Sequence, residues 1–268
     1  MPPRKTVNPR KTPGKSQKSY ALRILGALAF TALLSILGYI LANYILDRRA
    51  RFTRYPGFGI SIPTDFSIFG IDVSHHQGHI AWDAVRKMRE GRISVGFAFI
   101  KATEGIRLKD PRFDRNWRKA GEQGVRRGAY HYFLPDKNAR QQAAHFIRQV
   151  KLAGGDLPPV LDVEETRGMP PATIRKRVRE WLDIVGRHYG VKPIIYASPS
   201  FYHKVLGTSF NDHRLWVAHY VRRNRPRIAR DWVFWQFSES SRVNGIRSRV
   251  DFNVFSGDSA EFRKLLMP

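Results

Sequence analysis

Pro159-Val160-Leu161-Asp162-Val163-Glu164 is the stretch that decides how this chain is read. Its apolar start is the short β-type run of a strand buried on both faces. Its end is acidic, and a carboxylate beside such a run is costly to desolvate unless it is paired or hydrogen-bonded. Side chains two apart on a strand share one face, ~6.5 Å apart along it. Asp162 and Glu164 therefore face one way and Val163 the other. Two carboxyls on one face have pKa values pushed apart, so one stays protonated as a general acid while the other stays ionised. That is the minimal equipment for cleaving a glycosidic bond.

The same kind of run recurs on both sides, at 69–73, 95–101, 128–133, 193–197, 215–219, 233–237 and 250–254. Between the early runs lie amphipathic stretches at 82–89, 113–121, 139–152 and 174–189. In the last of these, Ile174, Val178, Trp181, Leu182 and Val185 fall on one helical face. Strand and helix in alternation predict parallel βαβ units, and about eight strands over ~200 residues predict a (β/α) barrel rather than an open sheet. The connections after Leu215 are too short for full helices. The expected fold is α/β: an incomplete, flattened TIM-like barrel of parallel strands, with late strands joined by loops or hairpins.

Such barrels place their chemistry at the C-terminal ends of the strands. Phe69-Gly70-Ile71 runs into Asp72, and Arg249-Val250 is followed at once by Asp251. These two acids join the Asp162/Glu164 pair as candidate catalytic residues. Aromatics crowd the same ends: Tyr130, Tyr132, Phe133, Tyr196, Trp216, Tyr220, Trp232 and Trp235. Most belong to the core by their alternation, yet rings with polar tips around a cleft are also what a sugar stacks on. Tyr130, Tyr132, Tyr196, Trp216 and Gln236 are the candidate substrate-binding residues. Ser74-His75-His76-Gln77-Gly78-His79 is rich in histidine, but a zinc site needs three or four converging ligands. Adjacent His75 and His76 supply no such geometry, so no metal and no cofactor are expected, and these histidines are read as hydrogen-bonding or substrate-contact groups. No G-x-x-x-x-G-K or G-x-G-x-x-G loop is present, so nucleotide binding has no support.

Of the 268 residues, 42% are hydrophobic and 12% aromatic, as in an ordinary folded enzyme. With no cysteine, disulfides, thiolate metal sites and cysteine nucleophiles are excluded. Lys+Arg number 47 against 22 Asp+Glu, a formal net charge of +25. Such a balance concerns partners rather than fold: nucleic acid, anionic lipid or an anionic envelope polymer.

Seven of the basic residues precede a different signal. Residues 1–23 form a basic, Pro-containing tail, and from Ile24 to Leu46 no residue is charged. Some 20 apolar residues suffice to cross a bilayer. The excess of Lys and Arg before the run predicts a cytoplasmic tail, with the rest of the chain exported. Ile40-Leu41-Ala42 has large residues where a signal-peptide cleavage site needs small ones, so an uncleaved anchor is expected. The expected organisation is a tail at 1–23, a single transmembrane helix at 24–46, a linker at 47–66 and a catalytic domain at 67–268. The expected location is the cell membrane, with the domain on the extracytoplasmic side.

Taken in order, Gly70-Ile71-Asp72-Val73-Ser74, Phe99-Ile100-Lys101-Ala102-Thr103-Glu104-Gly105 with Asp110, Gly128-Ala129-Tyr130-His131-Tyr132, the Asp162/Glu164 stretch, Ile195-Tyr196, Leu215-Trp216-Val217-Ala218, Trp235-Gln236 and Val250-Asp251-Phe252-Asn253 form one motif set. From about Phe69 to Gly257 the chain resembles the glycoside hydrolase family 25 lysozymes, which are N-acetylmuramidases. The resemblance implies a flattened barrel whose final strands lack partner helices. It implies hydrolysis of the β-1,4 bond between N-acetylmuramic acid and N-acetylglucosamine, so peptidoglycan glycan strands are the implied partner. It assigns the first-strand acid to Asp72, the pair to Asp162 and Glu164 with Glu164 as proton donor, and the late aspartate to Asp251. Two retaining routes remain: a carboxylate nucleophile, or attack by the substrate's own N-acetyl oxygen with Asp162 holding the acetamido N–H. The same-face pair fits the second better.

Three other readings compete. A metal-dependent deacetylase would use Asp72 and the histidines as ligands. A non-catalytic wall-binding protein would have no need of Glu164, which is present. A nucleic-acid binder would gather its basic residues in one motif, and here they are spread along the chain. No nucleic-acid partner is expected, and the sequence sets no oligomeric state.

Overall fold

The computed structural model describes residues 15–47, 51–220 and 225–268; of 15–22 and 43–47 it describes only the helical backbone. Residues 1–14 of the expected tail, residues 48–50 and residues 221–224 lie outside the described residues. The chain divides into two units, one ending at Arg49 and one from Ala50 to Pro268.

The first unit is helix α1 (Lys15–Asp47). Its Arg23–Ala42 segment has a mean hydropathy of 2.3 and buries nothing within the molecule, and by length and composition it is fit to cross a bilayer. At 1.5 Å per residue such a segment spans ~30 Å. The hydroxyls of Thr31 and Ser35 are satisfied by their own helix: Thr31 donates to the carbonyls of Ala27 and Leu28, and Ser35 to that of Thr31.

The second unit holds the strands β1 (Phe52–Tyr55), β2 (Ile60–Pro63), β3 (Phe69–Val73), β4 (Arg89–Glu90), β5 (Ile93–Glu104), β6 (Leu108–Lys109), β7 (Arg126–Tyr132), β8 (Val160–Asp162), β9 (Ile194–Ala197), β10 (Leu215–Ala218), β11 (Phe234–Ser241) and β12 (Val250–Phe255). Between them lie helices α2 (Trp82–Lys87), α3 (Phe113–Glu122), α4 (Ala139–Gln149), α5 (Pro171–Tyr189) and the single turn α6 (Pro199–Phe201), and α7 (Ser259–Leu265) closes the chain. Eight strands close a ring in the order β3-β5-β7-β8-β9-β10-β11-β12, with β12 returning to β3. Strands β3 to β11 of the ring are mutually parallel. The expectation of parallel strands throughout needs correcting at β12, which is antiparallel to both neighbours. The connection at 242–249 is too short for the dozen or more residues a parallel crossover requires.

Alternation along each strand sorts the side chains into two cores. Outward residues such as Ile71, Ala98, Ile100, Leu161, Ile195 and Val217 pack against the helices. There the α5 face of Ile174, Val178, Trp181, Leu182 and Val185 is buried, as its spacing predicts. Inward residues Phe97, Phe99, Val160, Ile194, Trp216, Phe234 and Phe255 fill the barrel, plugged at one end by Phe262 and Leu265 of α7. Rings of this size fit only because neighbouring strands carry glycine. A Cβ on Gly70 would lie 2.4 Å from the Phe97 ring, and one on Gly128 2.5 Å from Phe99.

The linker expected at 47–66 is largely part of the domain. β1 and β2 form an antiparallel hairpin pairing Phe52 with Pro63 and Tyr55 with Ile60. Phe58, Ile60, Ile62 and Phe66 are buried. Phe58 meets Phe252 at 5.1 Å, and Phe52 stands edge-on to Trp235 at 6.2 Å. Pro56 and Gly59, which read as linker residues, make the hairpin turn, closed by Gly59 N–H donating to the Pro56 carbonyl.

Candidate active site

Along the inward face of each strand the apolar residues stop near the C-terminal rim, and polar ones take over. Asp72, Lys101, Tyr130, Tyr132, Asp162, Glu164, Tyr196 and Gln236 line one cleft there, with Trp216, Tyr220, His76 and Asp251. The cleft has a volume of about 300 Å³. Asp251 reaches this rim only because β12 runs backwards. It sits at the start of its strand, opposite Asp72 of β3. All nine candidate site residues line the cleft.

Asp72 is buried and held by two amide donors. Gln236 Nε2 donates to its Oδ2 at 2.8 Å and Asn253 Nδ2 to the same atom at 2.7 Å. Those amides are oriented from behind. Tyr196 and Tyr220 hydroxyls both donate to Gln236 Oε1, at 2.7 and 2.6 Å, and Trp216 Nε1 donates to Asn253 Oδ1 at 2.8 Å. Burial pushes the Asp72 carboxyl up to about 6, against the lowering effect of the Asn253 and Gln236 donors. Asp251 is pushed further, to about 8, by burial first and then by the charges of Asp72 and Glu239. A proton is therefore retained between the facing aspartates near neutral pH.

Asp162 ends β8 fully inside the rim. Burial, the Glu164 charge and a hydrogen bond with Glu164 hold its pKa well above the ordinary carboxylate range, and Lys101 opposes this. Its buried Oδ1 has no hydrogen-bond partner among the described residues, an acceptor left for something that enters the cleft. Glu164 stands two residues on, exposed to solvent. Val163 between them is fully buried in the helix-facing core, as the alternation requires. Glu165 points elsewhere: it accepts from the Tyr132 hydroxyl at 2.5 Å and from Arg167 Nε at 2.9 Å. Tyr130 is half-buried, and its phenol is pushed well above its ordinary pKa by burial and by the surrounding carboxylates. Trp216 is floor rather than wall, stacked on Phe99 at 4.4 Å and almost wholly covered.

The histidines separate by role. Ser74 caps the turn His75–Gln77, accepting from His76 N–H at 3.2 Å. This fixes His75 against Asp110, which accepts from its ring Nδ1 at 3.0 Å and its backbone N–H at 2.8 Å. His131 faces the helices, between Thr103 Oγ1 (2.7 Å) and Gln142 Oε1 (3.1 Å). Gln142 Oε1 also accepts from Leu134 N–H, so it is the acceptor and His131 carries its proton on Nε2. Burial drives the His131 pKa down to about 3. Among the described residues no group of three His, Asp or Glu is placed to hold a metal.

Lys101 and Tyr220 line the cleft, and Asn253 holds Asp72 from behind, though the sequence reading did not name them as site residues. Asn253 had a legible signal, since it lies two residues after Asp251 on the same face of β12.

Comparison with known proteins points to one family. The family described as Glycosyl hydrolases family 25 matches residues 71–246. The Escherichia coli (strain K12) protein YegX, uncharacterised, is 43% identical over 260 residues, covering 90% of this chain and 96% of that protein. Lysozyme M1 of Streptomyces globisporus is 34% identical over 223 residues, 76% of this chain and 73% of that enzyme. Among solved structures, a family 25 glycosyl hydrolase from Bacillus anthracis superposes with a TM-score of 0.70 at 30% identity, covering 79% of this chain and 98% of its own. The chain is a glycoside hydrolase and belongs to family 25.

Proposed function

We propose that this protein is a membrane-anchored N-acetylmuramidase, cleaving the β-1,4 bond between N-acetylmuramic acid and N-acetylglucosamine in peptidoglycan with retention. The observation that carries this reading is the Asp162/Glu164 pair on the inward face of the rim, with Asp72 and Asp251 side by side on paired strands of the same cleft. Lysozyme M1 and other relatives named as autolytic lysozyme and N,O-diacetylmuramidase support the substrate class.

In this mechanism the Asp162/Glu164 pair carries one proton. At rest burial keeps it on Asp162. When substrate enters, its acetamido N–H donates to Asp162, which favours the charged carboxylate, and the proton passes to Glu164. Glu164 protonates the leaving glycosidic oxygen as that C–O bond breaks. The substrate's N-acetyl oxygen attacks the anomeric carbon from the opposite face, and Asp162 stabilises the cationic ring so formed. Water, deprotonated by Glu164, then opens that ring. Asp72 and Asp251 set the electrostatics and bind sugar, and Tyr130 offers a hydroxyl at the reacting centre. Exposure of Glu164 at the cleft rim fits a group that meets the glycan directly.

The apolar Arg23–Ala42 helix supports an anchor, with the tail cytoplasmic and the domain on the side of the wall. The experiment is digestion of purified peptidoglycan by the full chain in detergent. New reducing ends without free acetate support a glycosidase; free acetate without reducing ends would mean a deacetylase.

A further inference from the structure

The hairpin β1–β2 precedes the residues matched by the family and leans on the outer leg of β11. Between hairpin and strand lies a cavity of about 550 Å³, walled by Phe52, Arg54, Ser61, Tyr220, Phe237 and Glu239. Tyr220 also lines the acidic cleft, where its hydroxyl donates to Gln236. The two spaces therefore share a wall, and a substrate held in the cleft can extend into the second without leaving the surface.

Two opposite charges stand in that second wall. Arg54 and Glu239 are exposed, and neither side chain makes an ion pair or hydrogen bond among the described residues. Glu239 is aimed by irregularity in β11. Pairing with β12 shifts register between Gln236 and Ser238 and again between Ser238 and Ser241. Such bulges free backbone groups and re-aim side chains beside active sites. An N-acetylated sugar carries no ammonium, and the lactyl carboxyl of muramic acid is uncharged where a stem is joined to it as an amide. A short peptide with free carboxylates and a free ammonium carries both, and its amides match the Ser61, Ser238 and Ser240 hydroxyls and the unladdered backbone of the bulge.

We propose that this cavity binds the peptide stem attached to the muramic acid of peptidoglycan, with Arg54 receiving a stem carboxylate and Glu239 the stem ammonium. The proposal rests on the peptidoglycan reading above and makes the hairpin a specificity element of that same site. No covalent step is involved.

The test uses the full chain in detergent with two substrates: peptidoglycan with stems intact, and the same glycan stripped of stems by an amidase, its freed lactyl carboxylates capped as methylamides. Wild type should favour the intact polymer in kcat/KM, through KM, by about 2- to 5-fold for each exposed charge contact. Arg54→Glu should abolish or invert that ratio, and Arg54→Lys should keep most of it. Binding of a synthetic stem tetrapeptide, followed by NMR, gives a readout independent of turnover: saturable with wild type, weakened by Arg54→Glu and by salt. Equal ratios for wild type and Arg54→Glu, or tetrapeptide binding indifferent to the charge reversal, would overturn the proposal. Failure to cut either glycan falls on the muramidase reading alone, because the tetrapeptide measurement still decides the cavity.

Discussion

Replacing Asp251 by Asn should stabilise the enzyme while disabling it, and only at high pH. Asp251 and Asp72 lie side by side on the paired strands β12 and β3, and burial lifts them to about 8 and about 6, with the Asp72 and Glu239 charges adding at Asp251 and the Glu164 charge at Asp72. In the unfolded chain both fall back to ~3.9. The native state therefore holds extra protons between pH 4 and 8, and its stability falls as pH rises through that window. Four units at 1.4 kcal/mol each set a ceiling of about 6 kcal/mol for Asp251. Partial exposure and relaxation of the pair reduce this to about 2 kcal/mol. For a domain of this size that is about 4–8 °C in Tm. The assay is thermal unfolding of the full chain in detergent, followed by tryptophan fluorescence at pH 4, 6 and 8. Asp251→Asn should match wild type at pH 4 and exceed it at pH 8, with kcat strongly reduced. Comparison at each pH is essential, because depressed His131 pulls the other way: its contribution is complete above pH 6.5 and is lost as pH falls toward 3. A variant less stable than wild type at pH 8, or a gap that does not change with pH, would refute the reasoning.

Three further outcomes are expected. Glu164→Gln should lower kcat by ~10²–10⁴-fold with glycan binding retained, while Glu165→Gln, whose partners are Tyr132 and Arg167, should change it little; the reverse result would place the working glutamate one residue on. His131→Phe should cost about 2 kcal/mol at pH 7 by stranding Thr103 and Gln142, with the deficit shrinking between pH 6.5 and 4 in parallel melts. Dialysis against EDTA should leave the rate unchanged, whereas a large loss restored by zinc would revive the deacetylase reading.

The acids were legible because of where they stand in the sequence. Asp72 and Asp162 follow apolar runs whose period-2 alternation fixes which face they take, and Val163 confirms that register by its burial. Asp251 was found for an incomplete reason. It was read as a late strand-end acid, yet it begins its strand, and only the antiparallel return of β12 brings it to the rim. Strand direction depends on how the ring closes, which no local pattern carries. The hairpin was missed because Pro56, Gly57 and Gly59 look alike in a linker and in a turn. The alternation of Ile60-Ser61-Ile62 was the clue, too short to stand alone. Asn253 and Tyr220 matter through partners far away in sequence, Asp72 and Gln236, and such pairings become visible only when the barrel is closed.

The central claim is the bond that is cut. Peptidoglycan digested by the full chain, reduced with borohydride and analysed by mass spectrometry reports which sugar carries each new reducing end. The account predicts fragments ending in reduced N-acetylmuramic acid, absent with Glu164→Gln. Fragments ending in reduced N-acetylglucosamine would contradict it.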